Sequence, residues 1–264
     1  MLVPTLLLAL SPLSPLSPLS RLTAADLRCV DAHAALAVVS APSRGPSTAP
    51  STAPSTAPST APSTAPGVLT VADADSTLVA AYAAGESWER FLGAARAGRA
   101  RWVKHWETAV VPADALAQAR ALPAGFRLLV IAVDACSDSI NTIPYLAKLV
   151  AEVPALDMRI IAPMVARPLM TARPTPDGRA ATPTVILLDA EGNEVGCWIE
   201  RPAALQAMAM EARAAGSLGS FLSGKQEWYD ADAGASTIRE IVALLTAAAG
   251  GKRGCDASAG ARGQ

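Results

Sequence analysis

The chain is short of the residues that usually mark a metal centre. Its 264 residues include two histidines, His33 and His105, and four cysteines, Cys29, Cys136, Cys197 and Cys255, with none of the short spacings of a metal-binding pair. A zinc site is not expected from that set, and a disulfide framework is not expected for a core of this size. Charge is also scarce, at 17% of residues with a formal net charge of -1, so no basic face is available to neutralise phosphates or an anionic membrane. The apolar run at residues 2–10 is far too short to cross a bilayer. These absences argue against nucleic acid, a membrane span, a metal and a bound cofactor, and leave small molecules, thiols and proteins as partners.

What the chain has in excess is proline and repetition near its start. Residues 1–20 run into Ser-Pro-Leu repeats, and the first basic residue, Arg21, follows the apolar part instead of preceding it as in a secretory leader. Residues 47–66 are five copies of Ser-Thr-Ala-Pro, in which a proline every fourth position removes donors and fixes φ, so the segment reads as an extended linker. The expected organisation is a disordered leader and linker over 1–67, one domain over 68–250 and a frayed tail over 251–264. Cytoplasmic location is expected, with export as the alternative if the leader works as a signal.

The stretch that organises the remainder covers residues 127–150. It reads as a buried strand at 128–133, a tight polar turn with Cys136, and an amphipathic helix from about Ser137 with Pro144 in its interior. A cysteine handed from a strand to a helix N-terminus is a reactive-thiol arrangement, because backbone N–H groups and the helix dipole favour thiolate. The flanking Asp134 and Asp138 oppose this effect; both also suit helix-start capping. Upstream, 73–82 and 87–107 carry apolar residues at helical spacing, including Trp88, Phe91, Trp102 and Trp106, and 112–122 is a further helix. The face bearing Arg99, Arg101, Lys104 and His105 is read as packing, with a binding surface as the other option. Downstream, 156–161 is a strand parallel to the first, 184–188 and 194–200 form an antiparallel hairpin, 202–215 is a helix, 216–224 a Gly-rich break, and 238–249 a last helix with Ser236 as a candidate N-cap.

The segment Ala135-Cys136-Ser137-Asp138-Ser139 resembles the active-site motif of thioredoxin-like proteins, in particular the subgroup with Trp-Cys-Gly-Asp. Pro144 lies where thioredoxins kink this helix, and Ala181-Thr182-Pro183-Thr184 stands where they place the cis-proline loop. The resemblance spans about 87–245 and implies an α/β thioredoxin-like fold, a mixed central sheet flanked by helices, with an N-terminal helical extension. It implies Cys136 as nucleophile, Ser139 and Asp138 as its aids, and Thr182 and Pro183 beside Ala135 as a substrate platform. Ser139 occupies the position of a resolving cysteine, so the expected chemistry is monothiol: attack on a disulfide, then release by an external low-molecular-weight or protein thiol. Ala135 departs from the tryptophan of the motif and removes its aromatic shelf. Cys197 is expected to be a small buried hydrophobe, and Cys29 and Cys255 to sit in flexible tails. A scaffold that keeps the fold without the chemistry is the competing reading.

Overall fold

The computed structural model describes residues 71–255. The leader, the Ser-Thr-Ala-Pro repeats, Cys29 and His33 lie outside the described residues. Nine helices and four strands follow in the described part: α1 (Val71–Ala84), α2 (Trp88–Ala94), α3 (Arg99–Thr108), α4 (Ala113–Arg120), β1 (Phe126–Ile131), α5 (Ser137–Glu152), β2 (Leu156–Ile161), α6 (Arg167–Thr171), β3 (Thr184–Leu188), β4 (Glu194–Ile199), α7 (Ala203–Ala214), α8 (Leu218–Asp232) and α9 (Ala235–Ala249).

The strands form one sheet in the order β2-β1-β3-β4. β1 and β2 pair in parallel across α5, with Leu128 opposite Met158, while β3 runs antiparallel to both β1 and β4. The two-residue period of β1 sends Leu128 and Val130 to one face and Leu129 and Ile131 to the other. The first face is covered by α5, α9 and the aromatic residues of α2 and α3, including Trp88, Trp102, Ile143, Leu146, Ile241 and Leu245. The second receives Leu78 of α1 and Met170 of α6. Both outer edges are partly occupied: Glu86 bridges Ile160 of β2, and Gly254 bridges Gly196 of β4.

Three features differ from the sequence reading, each for a packing reason. The helical pattern over 87–107 is broken at Gly98, whose φ of 64° allows a sharp turn between α2 and α3. A Cβ there would stand 2.6 Å from Cδ1 of Ile140 and push that side-chain tip aside, on top of the positive φ that favours glycine. The Gly-rich stretch does not break the chain; α8 runs through Gly219 and Gly224 because Phe221, Lys225 and Tyr229 bury its inner face. The last helix begins at Ala235 after Gly234, not at an N-cap Ser236, whose N–H and hydroxyl instead bond Asp232. Gly234 has a φ of 76° and lies against the Tyr145 ring, where a Cβ would clash.

Candidate functional site

The site is assembled where β1 gives way to α5. Cys136 is the N-cap of α5, and its Sγ accepts a hydrogen bond from the Ser139 backbone N–H at 3.4 Å. The same sulfur lies 3.2 Å from the Thr182 carbonyl oxygen. The Thr182–Pro183 bond is cis, as the position of the motif implied. The fold thus brings Cys136, Ser139 and the Thr182–Pro183 peptide together from segments more than forty positions apart.

The details correct several expectations. Cys136 is disulfide-bonded and has no exposed surface, whereas a reactive free thiol was expected. Thr182 and Pro183 are buried too, and the Thr182 carbonyl faces the sulfur instead of solvent. The Ser139 hydroxyl, the group by which that residue would aid the sulfur, makes no hydrogen bond among the described residues. The backbone amide does that work because the third helical N–H is the group an N-cap side chain meets. Ala135 is half-buried. Where the motif would carry a tryptophan, the aromatic neighbour comes from the helical extension: Trp102, fully buried, donates its indole N–H to the Asp134 carbonyl at 3.0 Å.

The two aspartates have separate tasks. Asp134 turns to the α2–α3 corner, where its carboxylate accepts the Arg96 and Ala97 amides at 2.7 and 2.9 Å. Asp138 points into a buried polar cluster that no sequence pattern marks. Its carboxylate accepts the Tyr229 hydroxyl at 2.7 Å and is paired with Lys225 and Arg201, each at 3.3 Å. Arg201 also pairs with Glu200, which receives both guanidinium nitrogens of Arg179, and Arg179 pairs with Asp177. From Asp177 to Lys225 the signs alternate, and with Arg213 at 3.0 Å from Asp177 three carboxylates meet four cations. Burial raises the Asp177 carboxyl, but the bonds from Arg179 and Thr175 outweigh it and hold it at about 2. Burial and then the Asp138 carboxylate push the Tyr229 phenol well above its ordinary value, which keeps it a donor. Lys225 further bonds the Ser137 hydroxyl at 2.9 Å, which ties α8 to the first turn of α5.

Pro144 shapes the same helix. Lacking an N–H, it leaves the Ile140 carbonyl without its usual helical donor. His105 of α3 fills the vacancy, with Nδ1 at 2.9 Å from that oxygen, so Nδ1 carries the proton. Burial lowers the His105 pKa. Arg101 of the same face bonds Asn141 and Gln226, so this face packs on α5 and α8.

The remaining described cysteines are also joined. Cys197 and Cys255 form a disulfide across 58 positions: Cys197 is buried as expected, but it is bonded, which overturns the expectation of a chain without structural disulfides. Glu194, Cys197 and Cys255 offer ligand atoms within 4.8 Å of one another, but Glu194 is engaged by Arg173 and both sulfurs are bonded. They do not make a metal centre in this state.

This βαβ unit followed by a hairpin, with a cis-proline peptide against the N-cap cysteine, agrees with the sequence comparison. Residues 85–214 match the family model described as thioredoxin. Those residues have a thioredoxin-like fold. A protein of unknown function from Pseudomonas aeruginosa, solved at 1.5 Å, is similar in fold, with a TM-score of 0.50 and 23% identity over 64% of this chain and 96% of that one. An HIV epitope-scaffold has a TM-score of 0.47 and 20% identity over 63% of this chain and 96% of its own. No curated protein matches the chain. The thioredoxin-like fold rests on the family match and the architecture together. No helix among the described residues is long and apolar enough to cross a membrane.

Proposed function

We propose that the thioredoxin-like domain exchanges thiols and disulfides through Cys136. The observation that carries this reading is the sulfur at the N-terminus of α5, 3.2 Å from the Thr182 carbonyl. The disulfide-bonded state of Cys136 is an oxidised resting form that an external thiol opens before turnover begins. An external thiolate attacks that disulfide, one sulfur taking the new bond and Cys136 leaving with the electron pair as thiolate. The Ser139 N–H and the helix dipole stabilise that charge. The thiolate then attacks a substrate disulfide, expelling one substrate thiolate, and a second external thiol releases Cys136 from the mixed disulfide. Thr182 and Pro183, uncovered when Cys136 is released, present the peptide beside which an extended substrate lies, with Ala135 leaving room where the motif has an indole. Asp138, held by Tyr229, Lys225 and Arg201, positions the first turn and does not act as a proton carrier. The substrates are small or protein thiols and disulfides.

The test is to reduce the full chain, measure alkylation of Cys136 against pH, and trap mixed disulfides with a model disulfide peptide. Alkylation faster than a free peptide thiol below pH 8.5, with a trapped adduct lost in Cys136→Ser, is expected. A peptide-like rate with no adduct overturns the reading. The complete burial of Cys136 and the unbonded Ser139 hydroxyl favour the second reading, a thioredoxin-fold scaffold, and the same experiment decides between them. Bonded cysteines persist in oxidising compartments, so of the two locations we propose export over the cytoplasm; the mature N-terminus, sequenced from the native host, tests it.

A further inference from the structure

A second reducible centre lies at the opposite edge of the sheet. β4 is the outer strand, and residues 253–255 run beside it: the Gly254 N–H donates to the Val195 carbonyl at 3.2 Å, and Arg253 donates to the Glu194 carbonyl and to Asp189. These few bonds are joined by the Cys197–Cys255 disulfide. The two sulfurs differ in access, because Cys197 has no exposed surface while Cys255 is exposed. Beside them opens a cavity of about 490 Å³, walled by both cysteines, Trp198, Arg201, Gln206 and Met210. That volume falls in the usual range for small-molecule sites, about 300–1,000 Å³. Two of its wall residues are more than nine-tenths buried and carry polar atoms with no hydrogen-bond partner among the described residues: Nε of Arg201 and both amide atoms of Gln206. Buried polar groups are seldom left so, since each costs the desolvation of an unmade bond.

We propose that this cavity seats a low-molecular-weight peptide thiol, which opens the Cys197–Cys255 disulfide by forming a mixed disulfide at Cys255. A peptide thiol matches the walls, because Trp198 and Met210 take its apolar parts, and a shift of the Gln206 and Arg201 side chains brings their unpartnered atoms, now sealed from the cavity, to its amide and carboxylate groups. The attack falls on Cys255, since Cys197 Sγ is closed to an incoming group. The thiolate of the ligand bonds Cys255 Sγ, the Cys197–Cys255 bond breaks, and Cys197 leaves with the electron pair. Burial disfavours a charged sulfur, so Cys197 takes up the proton that the ligand thiol lost. One thiol and one disulfide become one mixed disulfide and one thiol, with no net oxidant. The tail, carrying the adduct, then leaves β4 and exposes the outer edge of that strand. This centre works independently of Cys136.

The probe is glutathione, added to the oxidised full chain, with acid quenching, intact mass and peptide mapping. One adduct at Cys255 is expected, together with trypsin cleavage after Lys252 and Arg253 at least tenfold faster than in the untreated chain. Ala207→Trp, which narrows the cavity from α7, should slow the glutathione reaction severalfold while leaving that of 2-mercaptoethanol unchanged. Met210→Trp is a second filling variant should the first fail to fold. Adducts only at other cysteines, or none at thiol concentrations that modify Cys255 in urea, overturn the proposal. Equal effects of cavity filling on both thiols overturn the seat.

Discussion

At the scale of single residues, His105 and Pro144 form a pair whose worth lies in what each lacks or supplies. Pro144 withholds a backbone donor and His105 returns one to the Ile140 carbonyl. His105→Phe, which keeps a ring but no donor, should cost about 1–3 kcal/mol, the penalty of a buried acceptor left unmade. In a Pro144→Ala background the restored N–H can reach that carbonyl, so the same change should cost less. Urea unfolding of the four proteins checks the coupling. His105 also carries a pH signature, since its pKa is lowered from the ordinary 6.5 by burial. Its contribution is complete above 6.5 and is lost as pH falls through the lowered folded value, because the unfolded chain binds the proton first. His105→Phe should flatten that part of the stability curve. Neither role was legible beforehand: the proline stood out in the sequence, but the partner of a carbonyl on a neighbouring helix leaves no spacing pattern. Cys136 and the cis peptide, by contrast, were marked by local residue types, and the structure joins them.

Individual elements divide in the same way. Strands β2 and β3 have the bounds read from the sequence, because continuous apolar runs between turn residues admit little else. Helix α8 was hidden, since Gly219 and Gly224 suggest a break and only tertiary burial of Phe221 and Tyr229 makes the segment helical. Neither glycine would meet any atom within 4 Å if given a Cβ. Gly219→Ala and Gly224→Ala should therefore each stabilise the protein by about 0.5–1 kcal/mol, read from urea midpoints. The contact of the α8 inner face with α5 is far less tolerant. Asp138→Asn removes the carboxylate that balances Lys225 and Arg201, and should destabilise by about 3–5 kcal/mol. Asp138→Leu combined with Lys225→Met should cost less than the sum of the single changes, because no lone charge is then left between those two positions. The ion pairs joining Asp177 to Lys225 come from four separate segments, so no window of sequence displays them.

For the molecule as a whole, the fold class and the parallel and antiparallel pairings followed from the order of elements, whereas the tail did not. Four widely spaced cysteines suggest no pairing, yet the topology brings Cys197 of the outer strand to Cys255. Closing 58 positions of chain, this bond should contribute about 2–4 kcal/mol through the unfolded state. Cys255→Ser should lower the unfolding free energy by that amount, checked against wild type with and without reductant; reductant should narrow the gap.

An open sheet grows by adding strands to its ends, and here each end is met by a short length of the chain's own backbone, Glu86 on one flank and Gly254 on the other. These contacts act as stoppers against stacking of one molecule on the next. The stopper at Gly254 is tethered by a bond that a reductant can cut, so the tendency of this protein to self-associate becomes a property of its redox surroundings.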